Sequence, residues 1–262
     1  MELVSGIHPT AVVHAATRVG DGVVIGPYAV IEEDVVIGDD TVVGAHAMVG
    51  AHTRLGRGNQ IHHGAVVGST PQDLKFAGDV TYTIVGDRNT FREYCTVNRA
   101  TSIDEETRLG SDNLLMAYSH VGHNCRLGNN VVLANSANLA GHVRVDDHAI
   151  IGGLTGVHQF VHVGAHAMIG GCSRVTQDVP TYALAAGSEP RIVGANAVGL
   201  SRRGFSQQEI REIRRAYKTI FRSKLTVAAA LERLDAQEPH PIVLPLIDFI
   251  RKSSRGMMRA GR

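Results

Sequence analysis

Residues 117–128 read AYSHVGHNCRLG, which sets His120 and His123 three apart, beside glycine and inside no helix-forming run. Histidines so placed do one of three things. Two or three of them can close on a metal ion such as zinc, which binds imidazole nitrogens and keeps one position open when the site is catalytic. One of them can serve as a general base, because imidazole exchanges its proton near neutral pH. They can also be plain surface residues. The chain holds 14 histidines, 13 of them before residue 176, so for a histidine taken at random the plain surface role stands. What the rest of the chain brings beside His120 and His123 decides which role applies to them.

The elements that must do this positioning announce themselves by a repeat of six. From Ile7 to Val175 every sixth residue is a large apolar one, through Phe91, Ile103 and Leu115, except at Asp73 and Asp79. The following residue is often glycine, as in VGDGVV, IGPYAV and VGAHAM, and the fifth of each hexad is often small or β-branched, as at Ala11, Thr17, Ala29, Thr41, Ala47 and Thr53. An amphipathic helix repeats its apolar stripe at 3.6 residues, so a period of six excludes one. It fits short strands that turn after each hexad, with one large and one small residue pointing inward and glycine freeing the backbone at the corners. Three hexads close one triangular coil, and coils stack at about 4.8 Å. The predicted fold is therefore mainly β, a parallel β-helix of hexapeptide repeats. The segment 69–83, STPQDLKFAGDVTYT, breaks the frame around the two aspartates and reads as a loop thrown out from one coil. Loops on a rigid scaffold are common places for function.

In a coil of 18, residues 18 apart stack. His123 then lies under Gly141, Gly141 under Gln159, and Asn124 under His142, with His120 near the same corner. Gly141 presents a backbone N–H with no side chain in the way. A base beside such a donor is the arrangement that acyl transfer needs, since the base activates a nucleophile and the N–H holds the oxyanion. The same three histidines, His120, His123 and His142, also match an open three-histidine zinc site. Geometry of this kind leaves both open. His46, His52, His148 and His166 share the hexad position of His142 and gain no role from that alone.

Beyond Val175 the frame ends. A proline- and glycine-rich stretch to about residue 204 reads as an extended linker. Ser206 with Glu209 has the spacing of a capping box, and Ile210, Ile213, Tyr217, Ile220 and Phe221 fall on one face of the helix it opens. A second helix is capped by Thr226, and a third carries a proline in its first turn, in LPLIDFIRKS. The predicted domains are residues 1–190, the β-helix with its loop near 69–83, and residues 191–262, a linker and small helical domain. Charge follows the same division: residues 1–200 hold 12 Lys/Arg against 19 Asp/Glu, a balance of −7, and residues 201–262 hold 14 against 6, a balance of +8. The tail has few aromatics for stacking and no nucleic-acid motif, so no nucleic-acid partner is expected. No apolar run reaches 18 residues and the start MELVSGIHPT has no signal-peptide pattern, so neither a transmembrane segment nor export is expected. Cys95, Cys125 and Cys172 fit no disulfide or thiolate pattern, read as buried spectators, and point to a reducing, cytoplasmic setting.

The hexapeptide array together with QDLKFAG, SDNLLMAYSHVGHNC, LANSANLAGHVRVDDHAIIGG, GVHQFVHVGAHAMIGGCSRVTQDVP and RRGFS resembles the UDP-N-acetylglucosamine O-acyltransferase family over nearly the whole chain. The resemblance implies a left-handed coil and a homotrimer. It implies the first step of lipid A biosynthesis, in which an (R)-3-hydroxyacyl chain passes from acyl carrier protein to the glucosamine 3-OH of UDP-N-acetylglucosamine. No metal and no dissociable cofactor is implied. By the same resemblance His123 is the general base and Gly141 the oxyanion donor. Asp73, Lys75, His120, His142, Gln159, Asn196 and Arg202 contact the substrate, and Gly171 governs acyl-chain length. Asn124 stands where the family commonly has aspartate, Asn98 where histidine can occur, and Val198 where an acidic residue can. The γ-class carbonic anhydrases share the coil and bind zinc through three histidines; the long helical tail and the QDLK loop set this chain apart from them. A related N-acyltransferase carries an added N-terminal domain, for which hexads starting at Ile7 are not expected to leave room.

Overall fold

The computed structural model describes residues 6–261. Strands of two to four residues run from Gly6–Ile7 to Arg174–Val175, and each pairs in parallel with the strand one coil on, as in Val12↔Val30 and Arg126↔Arg144. They form three sheets, here called first, second and third in the order the chain meets them. The result is a three-sided prism. Its interior takes the aliphatic of each hexad, such as Ile25, Ile31, Ile37 and Leu133, and the small fifth residue, such as Ala29, Ala47 and Ala137, all buried.

Glycine does not play the part the repeat suggests. The residue with positive φ at the corners is the fourth of the hexad, and it is usually not glycine: Asp34 (φ 50°), His52 (φ 60°), Asn124 (φ 60°), His142 (φ 60°) and Phe160 (φ 64°) are examples. The left-handed conformation costs an L-residue roughly 1–2 kcal/mol and is borne best by Asn and Asp, and no β-branched residue among those described has it. His46, His52, His142, His148 and His166 all stand at this position, so a backbone turn accounts for much of the histidine content. The hexad glycines answer a different demand, the closeness of the next coil. A Cβ at Gly38 would stand 2.5 Å from the Gly56 carbonyl carbon, and one at Gly26 would stand 2.9 Å from the Ala45 nitrogen.

Two coils are enlarged. Gln60 pairs with Thr90, 30 residues on, and Thr90 with Leu114, 24 residues on, where an unmodified coil takes 18. The first excess is the expected loop, trimmed to 70–81 because Val66–Ser69 and Tyr82–Val85 are strands. The second, at 99–105, hides inside the repeat. Ile103, expected in the core stripe, is 64% exposed on this loop. Both loops leave at the corner between the second and third sheets.

The stretch expected as linker is partly ordered. Ala183–Ala186 extends the first sheet and pairs antiparallel with Arg191–Ala195, so a hairpin straddles residue 190. Four helices follow: α1 (Ala197–Arg202), α2 (Gln207–Arg222), α3 (Val227–Asp235) and α4 (Leu244–Lys252). The sequence pattern foresaw the last three and missed α1. Ser206 and Glu209 close the capping box of α2, and Thr226 caps α3. Ile210, Ile213, Tyr217 and Ile220 are the buried face of α2, and the Tyr217 hydroxyl donates to the Thr181 carbonyl at 2.5 Å, tying the helices to the coils.

Candidate active site

The corner between the second and third sheets gathers most of the expected residues. A cavity of about 620 Å³ is lined there by Asp73, Lys75, Asn98, His120, His123, Gly141, His142, Gln159 and Phe160, among others. The strand His120–Val121, inside the second sheet, stops at this corner; His123 is in the turn after it, and Gly141 and Gln159 occupy the same place in the next two coils.

His123 and Gly141 are in direct contact. A Cβ at Gly141 would fall well inside contact distance of the imidazole Nε2 and Cε1, and 3.0 Å from Cδ2, so glycine is required for the ring to lie where it does. Gly141 is buried, and its N–H donates to no acceptor among the described residues. Buried N–H groups are rarely left unpaired. At the corner between the third and first sheets the equivalent groups are capped by a side chain of the next coil: Arg57 N–H donates to Asp87 at 2.9 Å, Ser111 N–H to Asn129 at 2.8 Å, and Asn129 N–H to Asp147 at 2.7 Å. Gly141 has no such cap, and the cavity opens beside it.

The His123 ring is held at Nδ1 by Asn124 Oδ1, 2.9 Å away, while Nε2 stands 3.7 Å from Asp73 Oδ2. Asp73 is in turn set by the Lys75 backbone N–H at 3.0 Å, the main cause of a carboxyl held below its usual range. Asn98 anchors the base of its loop, donating to the Ser69 hydroxyl at 2.9 Å and the Thr70 carbonyl at 3.0 Å. His120 bonds through Nδ1 to the Thr96 hydroxyl at 2.7 Å. His142 stacks on Phe160, centroids 4.7 Å apart, and meets His123 edge-on at 5.2 Å. Burial, and after it the His123 charge, lower the pKa of both His120 and His142, so both stand neutral at neutral pH. That suits groups that hydrogen-bond a substrate. A metal centre is another matter: the described residues contain no group of three His, Cys, Asp or Glu placed to hold an ion.

Three expected residues lie elsewhere on the chain. Asn196 caps α1, accepting from Gly199 N–H at 3.1 Å and donating to the His166 carbonyl at 3.0 Å, at the corner between the third and first sheets. Arg202 is exposed in the last turn of the same helix. Gly171 is at the corner between the first and second sheets, where a Cβ would stand 3.0 Å from the Gly153 carbonyl oxygen. None of the three lines the His123 cavity. Of the thiols expected to be buried, Cys172 is exposed, while Cys95 and Cys125 are buried with pKa values pushed up by burial to about 12. Sequence reasoning missed Thr101, Glu105 and Thr107, which brace Asn124. The only trace of them was a polar run, TSIDEET, around one aliphatic.

Comparison with known proteins places the whole chain. Residues 178–258 match the model of the second domain of UDP-N-acetylglucosamine O-acyltransferase, and residues 34–69 and 106–141 match the bacterial transferase hexapeptide repeat. The chain is 58% identical over 254 residues to the acyl-[acyl-carrier-protein]–UDP-N-acetylglucosamine O-acyltransferase of Chlorobaculum parvum, covering 96% of each chain. It is 54% identical to the enzyme of the same name from Akkermansia muciniphila, covering 95% of this chain and 98% of that one. Among solved structures, the UDP-N-acetylglucosamine acyltransferase of Francisella novicida superposes with a TM-score of 0.94 at 36% identity, over 98% of this chain and 95% of the other. The acyltransferase of Bacteroides fragilis gives 0.93 at 40%, over 96% and 99%. The coil is thus the left-handed parallel β-helix of hexapeptide repeats. The chain belongs to the UDP-N-acetylglucosamine O-acyltransferase family.

Proposed function

We propose that this chain transfers an (R)-3-hydroxyacyl group from acyl carrier protein to the 3-OH of UDP-N-acetylglucosamine, the first step of lipid A biosynthesis, with His123 as general base and Gly141 N–H as oxyanion donor. The observation that carries the mechanism is the contact of an imidazole with a glycine whose buried N–H is uncapped. His123 Nε2 takes the hydroxyl proton as the oxygen attacks the thioester carbonyl. The oxyanion accepts from Gly141 N–H. The C–S bond then breaks, and the departing thiolate takes the proton from His123. No metal and no dissociable cofactor enters these steps, and no acyl-enzyme is needed: the Cys125 thiol is pushed up to about 12 by burial and donates to the Ala140 carbonyl at 3.1 Å. Asp73, Lys75, His120, His142 and Gln159 hold the sugar nucleotide around the base.

The functional unit is a homotrimer. Asn196 and Gly171 occupy the two corners away from the cavity, with Arg202 on the helix that Asn196 caps, and a threefold assembly of three-sided prisms brings a neighbouring copy's corner to each cavity. The corner between the first and second sheets supplies apolar surface for this: Tyr118 is 61% and Leu154 68% exposed, and Tyr94 and Tyr118 stack at 5.4 Å. Acyl carrier protein, an acidic partner, docks on the basic tail. No helix among the described residues is long and apolar enough to cross a membrane.

The test is turnover of purified protein with UDP-N-acetylglucosamine and a panel of 3-hydroxyacyl carrier proteins, read by product mass. An O-acylated nucleotide sugar is expected, its formation lowered at least ~100-fold in His123→Ala and retained in a folded Cys125→Ala. Full activity of His123→Ala would rule out the base, and an inactive but folded Cys125→Ala would reinstate covalent catalysis.

A further inference from the structure

An amide beside a catalytic histidine poses a problem that a carboxylate does not. A carboxylate offers the ring only acceptors, so the facing nitrogen must carry the proton. An amide offers an acceptor at one end and a donor at the other, and the two ends are nearly the same shape. Turned one way, Asn124 accepts from Nδ1–H and leaves a lone pair on Nε2. Turned the other way, it donates to Nδ1, the proton moves to Nε2, and His123 can no longer take one from a substrate.

Two groups from the hidden loop at 99–105 remove the ambiguity. Glu105 Oε2 lies 2.7 Å from Asn124 Nδ2, and an ionised carboxylate can only accept, so it must face the amide's NH₂ end. The Thr101 backbone N–H lies 3.2 Å from Asn124 Oδ1, and a backbone N–H can only donate, so it must face the carbonyl end. Both constraints turn Oδ1 toward His123 Nδ1. The Asn124 main chain is fixed as well, its N–H donating to the buried Thr107 hydroxyl at 2.8 Å. Glu105 is itself tied into the coil, its carbonyl accepting from Tyr82 N–H at 2.9 Å and its N–H donating to the Ser102 carbonyl at 3.1 Å. It does not line the cavity.

We infer that Glu105 is a positioning residue: it locks the Asn124 amide so that His123 keeps its proton on Nδ1 and presents Nε2 to the substrate. The loop hidden inside the repeat thereby supplies the carboxylate missing next to the histidine, one residue further from the ring. The inference rests on His123 being the base, and the tests separate the two. Glu105→Gln is nearly isosteric and lies on the surface, so the fold is kept, yet the substituted amide can accept or donate. Its expected effect is a roughly 10–100-fold fall in kcat, the scale of one lost charge-assisted hydrogen bond, with KM for the nucleotide sugar little changed. In ¹⁵N NMR of the histidine rings, His123 should be Nδ1-protonated in the parent protein and a mixture of tautomers in E105Q. Adding Asn124→Asp to E105Q should restore both the tautomer and most of kcat, because the ring then faces acceptors only. E105Q with parental kcat, or with His123 still wholly Nδ1-protonated, would overturn the inference, and so would a double variant no better than E105Q. If His123→Ala stayed active while E105Q still redistributed the proton, the base assignment would fall and the tautomer lock would remain.

Discussion

Gly141 is the residue on which the site's chemistry turns, for two separate reasons. Its N–H is buried and uncapped, and its missing side chain is what lets the His123 ring sit beside it. Gly141→Ala keeps the N–H but pushes the imidazole away. The expected result is a folded protein with kcat lowered about 100-fold, the scale of an ångström-sized misplacement. Gly156, which faces open space, is the control, and G156A should keep full activity. A different residue contributes to acid stability. His166 is packed between His148, Tyr182 and Phe205, its Nδ1 has no partner among the described residues, and burial lowers its pKa to about 4. An unfolded histidine titrates near ~6.5, so between about pH 6.5 and 4 the unfolded chain binds the proton that the folded one refuses. Stability is therefore lost as pH falls through that window. His166→Phe removes the titration and keeps a ring, and the slope of Tm between about pH 7 and 5 should flatten.

At the scale of elements, the coils set distances and the two loops give the corner its character. Strand pairing fixes His123, Gly141 and Gln159 in one column regardless of their side chains, because parallel ladders hold successive coils at about 4.8 Å. The loop at 70–81 brings Asp73 and Lys75 over that column, and the loop at 99–105 props it from behind. The helices hold together by ordinary means. Ser206 accepts from Glu209 N–H at 3.2 Å and Glu209 returns the bond to Ser206 N–H at 2.7 Å. Ser206→Ala should lower stability by about 1 kcal/mol, read as a lower denaturation midpoint, without changing kcat.

For the whole molecule the question is how an acidic coil and a basic tail divide the work. The balance of +8 in residues 201–262 sits opposite −7 in the rest. If the tail draws in an acidic carrier protein, the attraction acts over about 10 Å at moderate salt and is screened beyond it. Raising ionic strength should then increase KM for the acyl carrier substrate severalfold, and reversing charges at exposed Arg211 and Arg214 should do the same at low salt. KM for the nucleotide sugar serves as the internal reference.

The sequence alone determined the coil and the column. A period of six cannot be helical, and three hexads per turn make the stacking of His123, Gly141 and Gln159 a matter of counting, since backbone hydrogen bonds allow one register. The caps of α2 and α3 were equally legible, because capping is decided within four residues. Counting failed where the chain departs from eighteen. Ile103 kept the frame while leaving the core, since an inserted hexad preserves the period and changes the path. The glycines were assigned to turns when they serve close approach, which shows only once the next coil is in place. Which end of the Asn124 amide meets His123 was decided by Glu105 and Thr101, 19 and 23 residues away. No local pattern encodes such a choice, because it depends on the path of a loop and on which groups there can only donate or only accept.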